Sequence, residues 1–95
     1  MRRAAKVDAN QAQIVSALQA AGASVQSLAA LGGGVPDLLV GFRNQNWLLE
    51  VKDGSKPPSA RELTGDQIRW HIGWRGHAIV VNSVDEALIA VGAME

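Results

Sequence analysis

The sequence predicts one α/β domain, a mixed sheet flanked by helices in the order α-β-β-β-α-β-α. Three observations predict it. Apolar residues recur at helical spacing near the N-terminus, two β-type runs bracket a polar stretch in the middle, and two capping-box patterns flank a buried strand. A chain of 95 residues is too short to split its core between two independent domains, so residues 1-95 form one unit with no internal repeat.

From Asp8 to Ala21, Ile14, Val15, Leu18 and Ala21 share one helical face, with Asp8 or Asn10 as the cap and Gly22 as the stop. Ala23 to Leu28 alternates apolar or small residues with polar ones and predicts a short strand; Gly32-Gly33-Gly34 then forms a joint. Val35 to Phe42 and Asn46 to Lys52 read as a hairpin joined by the polar stretch around Arg43 to Asn46. Residues 53-63 carry two of the three prolines and predict a long loop, a class usually either mobile or functional. Thr64-Gly65-Asp66-Gln67 opens a helix running to about Arg75, stopped by Gly76. Ala78 to Val81 is a buried strand, and Ser83-Val84-Asp85-Glu86 opens the last helix.

Composition excludes several classes of function. With 47% hydrophobic and 19% charged residues the chain is neither disordered nor fibrous. It has no cysteine, hence no disulfide framework, no thiolate nucleophile and no sulfur-built zinc site, which fits a reducing, cytoplasmic setting. Met1-Arg2-Arg3 has the charge of a signal-peptide start, but no apolar core follows and no stretch approaches the roughly 18 to 20 apolar residues of a membrane span. The expectation is a soluble, unsecreted protein with no membrane partner. A formal net charge of +0 argues against nucleic-acid binding by bulk charge alone, although Arg43, Lys52, Lys56, Arg61, Arg69 and Arg75 cluster against only Glu50, Asp53, Glu62 and Asp66. Gly32-Gly33-Gly34 lacks the following Lys-Ser/Thr of a phosphate loop, so no nucleotide cofactor is expected.

The chemistry lies in the hairpin. Strand alternation puts Glu50 and Lys52 on one side of the sheet and Leu49 and Val51 on the other. An even loop that sets Phe42 opposite Trp47 sets Leu39 opposite Glu50 and Asp37 opposite Lys52, making Asp37 the diagonal neighbour of Glu50. An odd loop would send Asp37 to the other face. Two hard oxygen ligands with a nearby backbone carbonyl and waters suit Mg²⁺ or Mn²⁺, and Lys52 is then placed to orient a water or neutralise charge in phosphodiester hydrolysis. By spacing alone, an edge strand with an exposed Glu-Lys pair accounts for the same residues.

Gly34-Val35-Pro36-Asp37-Leu38-Leu39-Val40 followed by Leu48-Leu49-Glu50-Val51-Lys52-Asp53-Gly54 resembles the paired motif of the PD-(D/E)XK nuclease superfamily, closest to its compact VRR-NUC and phage Holliday-junction-resolvase-like members. The resemblance runs from Asp8 to Leu88 and implies a restriction-endonuclease-like core and a bacterial or phage origin. It further implies Asp37, Glu50 and the Val51 carbonyl as metal ligands, Lys52 as the catalytic lysine and Gln67 as an additional catalytic residue. The family's first-helix glutamate is replaced here by Gln11, which would act on the metal through water. The leading expectation is a Mg²⁺- or Mn²⁺-dependent nuclease of branched or otherwise structured DNA, a homodimer on the grounds of small size and the resemblance to resolvases, with Arg43, Lys56, Arg61 and Arg69 as phosphate partners. A catalytically weak or silent module binding DNA or a protein is the alternative. Trp70 and Trp74, one turn apart, are expected in the core or a dimer interface more than on unpaired bases, and His71 and His77 in structural or solvent-facing places.

Overall fold

The fold is taken from a computed structural model that describes residues 8-95, so the expectation placed on Met1, Arg2 and Arg3 lies outside the described residues. Three α-helices, α1 (Gln11–Ala20), α2 (Gly65–Gly73) and α3 (Val84–Ala90), accompany four strands. The strands are β1 (Ser24–Ser27), β2 (Leu38–Phe42), β3 (Gln45–Val51) and β4 (Ala78–Val81), in the expected order along the chain. They form one mixed sheet in the spatial order β1-β2-β3-β4, antiparallel except for the parallel pair β3-β4. The α2 helix is the crossover that a parallel pair requires. Among the described residues no helix is long and apolar enough to cross a membrane.

Alternation sorts the two faces. Leu38, Val40, Leu49, Val51 and Val81 turn to one side and are buried with Ile14 and Leu18 of α1, Ala87 of α3 and the adjoining Val91. That face is the core. On the other side lie Asp37, Glu50 and Lys52 at one end of the sheet, where α2 covers them.

The hairpin is tighter than the sequence predicts. Phe42 pairs with Gln45 rather than Trp47, and only Arg43 and Asn44 form the turn, both left-handed with φ of 52° and 65°. Such a turn twists in the sense of the flanking strands, which favours two residues over four. The register therefore moves by two: Leu38 faces Leu49 and Leu39 faces Leu48. Because two is the period of a strand, Asp37 keeps its predicted face and comes opposite Glu50 instead of Lys52.

Helix boundaries also differ. Of the two expected caps, Asp8 and Asn10, the structure takes Asn10, so α1 starts at Gln11, but the Asn10 side chain makes no capping hydrogen bond. Its side-chain Nδ2 instead donates to the carbonyl oxygens of Lys52 (3.1 Å) and Asn82 (3.3 Å), tying the helix to the ends of β3 and β4. The capping box of α2 forms in full. Its helix stops at Gly73, a poor helix former, and Trp74 turns extended to stack on Trp70 at 4.7 Å between ring centroids. Neither tryptophan is in the buried core. In the second box Ser83 accepts from the Glu86 amide, while the Glu86 carboxylate turns to Asn82. Short 3-10 turns, Ala29–Leu31 and Pro58–Ala60, fill stretches with no predicted element.

The glycine joint presses on α2. A Cβ at Gly34, whose φ is +85°, would lie 2.3 Å from the Asp66 carbonyl oxygen and 2.9 Å from the Gln67 nitrogen. Gly33, with φ of +66°, faces open space. Gly33→Ala is expected to cost about 1 kcal/mol for its left-handed backbone, and Gly34→Ala at least twice that because the first turn of α2 must also move. Urea unfolding of the two variants measures the difference; equal losses would show that the loop does not position α2.

Candidate functional site

The glycine joint and the residues leading into β2, the end of β3, the loop that follows it and the first turn of α2 line a cleft of about 460 Å³. Asp37, Glu50, Lys52 and Gln67 line it, with Asp8, Lys56, Thr64, Asp66 and the glycine joint around them. The structure thus brings together the two predicted carboxylates, the lysine and the glutamine.

Each is held by specific contacts. Asp37 is buried, and its Oδ2 accepts the Val51 amide at 2.7 Å, so the carboxylate of one strand caps the backbone of the next. Glu50 is only 1% exposed. Its Oε2 accepts from Gln67 Nε2 at 3.3 Å, while its Oε1 is buried without a hydrogen bond. Lys52 Nζ donates to Gln67 Oε1 at 2.9 Å, and the same oxygen accepts the Thr64 amide at 2.9 Å. Gln67 is therefore a helix cap and a site residue at once.

The electrostatics follow from this crowding. Burial, together with the hydrogen bond and negative charge of Asp37, pushes the Glu50 carboxyl up to about 9, against its ordinary 4.5; Asp8 adds to the rise and Lys52 opposes it. A carboxyl in such surroundings keeps a proton at neutral pH or exchanges it for a cation. His71 is shifted down from its ordinary 6.5, first by burial and then by Lys52, so it resists protonation. Among the described residues no group of three or more His, Cys, Asp or Glu side chains stands at metal-binding spacing. A cation held by Asp37 and Glu50 would thus rely on backbone carbonyls such as that of Val51, and on water, for the remainder of its shell.

The other predicted residues divide. Gln11 is buried, with Oε1 unpartnered, but does not line the cleft; Asp8, three residues earlier, does. Lys56 stands at the mouth, 3.9 Å from Asp8. Arg61 is on the neighbouring loop, its Nε donating to the Lys56 carbonyl at 2.8 Å, and Arg69 is paired with Asp66 at the rim. Arg43 is not brought to the site. It lies at the hairpin tip, about 20 Å along β3 from Lys52 at strand spacing, where it donates to the Gly92 carbonyl at 3.4 Å and covers the Phe42 ring. Two contributors escaped the sequence reading. His71 has its Nε2 3.7 Å from Glu50 Oε1, although its one-turn spacing from Gln67 was a usable signal. The tethering role of Asn10 had no sequence signal, since both its acceptors are distant backbone carbonyls.

Comparison with known protein families, curated proteins and solved structures finds no match to this chain.

The raised Glu50 pKa sets the pH dependence of metal-free stability. Above about 4.5 the unfolded chain gives up the Glu50 proton while the folded one keeps it until about 9, so stability falls as pH rises between those values. His71 acts oppositely below its ordinary 6.5, because its folded form resists protonation, and the fall is clearest above pH 7. Glu50→Gln should flatten the slope and melt higher than wild type at pH 8. Melting curves in EDTA across pH 5 to 9 test this, and parallel slopes would remove Glu50 as the cause.

Proposed function

We propose that this chain is a Mg²⁺- or Mn²⁺-dependent endonuclease of the PD-(D/E)XK type, with a restriction-endonuclease-like core, that hydrolyses phosphodiester bonds in branched or otherwise structured DNA. The observation that carries the reading is the convergence of Asp37, Glu50 and Lys52, from two adjacent strands, on a cleft closed by Gln67. The α-β-β-β-α-β order and the motif spacing support it.

The donor set fits a hard divalent cation. Asp37 lines the cleft while its Oδ2 accepts the Val51 amide, and the crowding that raises Glu50 is what a cation would relieve. When bound, such a cation would polarise the scissile phosphate and offset its developing charge. Asp37 and Glu50 fix where that charge sits. Lys52, steadied by Gln67, is placed to orient the attacking water and to neutralise the phosphate in the transition state. Asp8 adds negative charge at the mouth, the part the family gives to a first-helix glutamate and that the neutral Gln11 cannot play. Lys56 and Arg61 flank the opening and suit phosphate contacts that read DNA shape rather than sequence. Action as a homodimer belongs to the same reading. It is supported by the small size of the core and by apolar side chains left outside it, Ile72 at 81% and Trp74 at 47% exposure.

A second reading, a silent nuclease-fold module that binds DNA or a protein, is favoured by one observation: the first turn of α1 carries the buried amide of Gln11 and no acid. Cleavage of a panel of junction, flap, splayed and linear substrates with Mg²⁺ or Mn²⁺ separates the two.

Asp37→Asn and Glu50→Gln should each lower cleavage by at least about 100-fold while the protein stays folded, because each removes ligand charge from the reacting centre. Wild-type rates in both would place the chemistry elsewhere. Lys52→Ala should reduce the rate far more than DNA affinity, whereas Arg61→Ala should weaken binding and flatten its salt dependence by about one unit of slope. Equal effects on affinity alone would make Lys52 an ordinary phosphate contact.

A further inference from the structure

The α2 helix presents two side chains one turn apart, Gln67 and His71, to the two oxygens of the same carboxylate. Gln67 Nε2 donates to Glu50 Oε2 at 3.3 Å, and His71 Nε2 stands 3.7 Å from Glu50 Oε1. Both His71 Nε2 and Glu50 Oε1 are buried, and neither has a hydrogen-bond partner. Buried polar atoms are rarely left unpaired, and these two are each other's nearest remedy, since an approach of about 0.7 Å makes a normal hydrogen bond. The imidazole is itself confined, 15% exposed and edge-on to Trp70 at 5.4 Å.

We propose that His71 is a positioning residue for Glu50, holding Oε1 as Gln67 holds Oε2, so that α2 fixes the plane of the carboxylate from two points. Beyond the hydrogen bond it shares with Asp37, Glu50 is held by one amide on Oε2 and by none on Oε1, which leaves the carboxylate freedom about its last torsion. A second point of contact removes that freedom, and both contacts sit on one rigid helix. The contact stands on geometry alone; its consequence, a cation site with a pre-oriented ligand, rests on the metal-dependent reading above. Partners of this kind beyond the ligands themselves typically change metal affinity by about 10 to 100-fold.

The test has two parts. A double-mutant cycle of His71→Phe and Glu50→Ala, followed by urea unfolding in EDTA, measures the contact without metal. The unfolding constants should be non-additive by about 5-fold or more. Calorimetric titration with Mn²⁺ then measures the consequence: His71→Phe should weaken binding about 10-fold, and His71→Gln, which returns an N–H near the position of Nε2, should restore most of it. An additive cycle overturns the proposal, as does Mn²⁺ affinity in His71→Phe equal to that of wild type. Loss in both His71→Phe and His71→Gln would make His71 a shape-filling residue and also overturn it. A wild-type protein that binds no Mn²⁺ defeats the metal-dependent reading instead, and the cycle alone then decides whether His71 holds Glu50. Should His71→Phe not fold, His71→Ala in the same cycle gives the same decision.

Discussion

One side chain joins the fold to the site. Gln67 closes the capping box of α2 by accepting the Thr64 amide, and through the same oxygen it accepts Lys52 Nζ. Its amide nitrogen donates to Glu50. The orientation of the amide is thus set by the helix terminus, and the lysine and glutamate are ordered by a group already committed to the backbone. Where α2 begins decides where the site's polar groups point; the Thr64 box sets that start, and Gly34 packs so close to the first turn that a Cβ there would overlap its backbone.

The site is arranged at a cost to the fold. Two carboxylates and a lysine lie buried on a sheet face that an ordinary domain would fill with apolar residues, and Glu50 resists ionisation as a result. The opposite face compensates. There β2, β3 and β4 meet α1 and α3 in a continuous apolar layer around Ile14, Leu18, Leu49 and Val51. Such division of labour between a stabilising face and a strained, polar one is common where a site needs groups that prefer to be elsewhere. Asn10 and Asn82 stitch the two together. One side chain from the start of α1 reaches the carbonyls at the ends of both β3 and β4, so the apolar layer and the charged cleft share a fixed edge.

Much of this is legible in the residues. Element order followed from hydrophobic period and from the Thr64 and Ser83 boxes, which are local signals between neighbours in the chain. The shared face of Asp37 and Glu50 followed from strand parity, which survives any even change in turn length; the two-residue Arg43-Asn44 turn altered the partner of Asp37 and not its side. Local chemistry determined these features because the interactions that fix them span only a few residues.

Distances along the chain hid the rest. Only the tertiary structure set Asp8 rather than Gln11 at the cleft, since where the segment before α1 lies depends on the reach of Asn10 to carbonyls 42 and 72 residues away. It also separated Arg43 from the other cations, because the hairpin carries its tip to the far end of the sheet. Finally, it turned His71 towards Glu50: a helix's own period says which residues share a face, but what that face meets is decided by packing against the sheet.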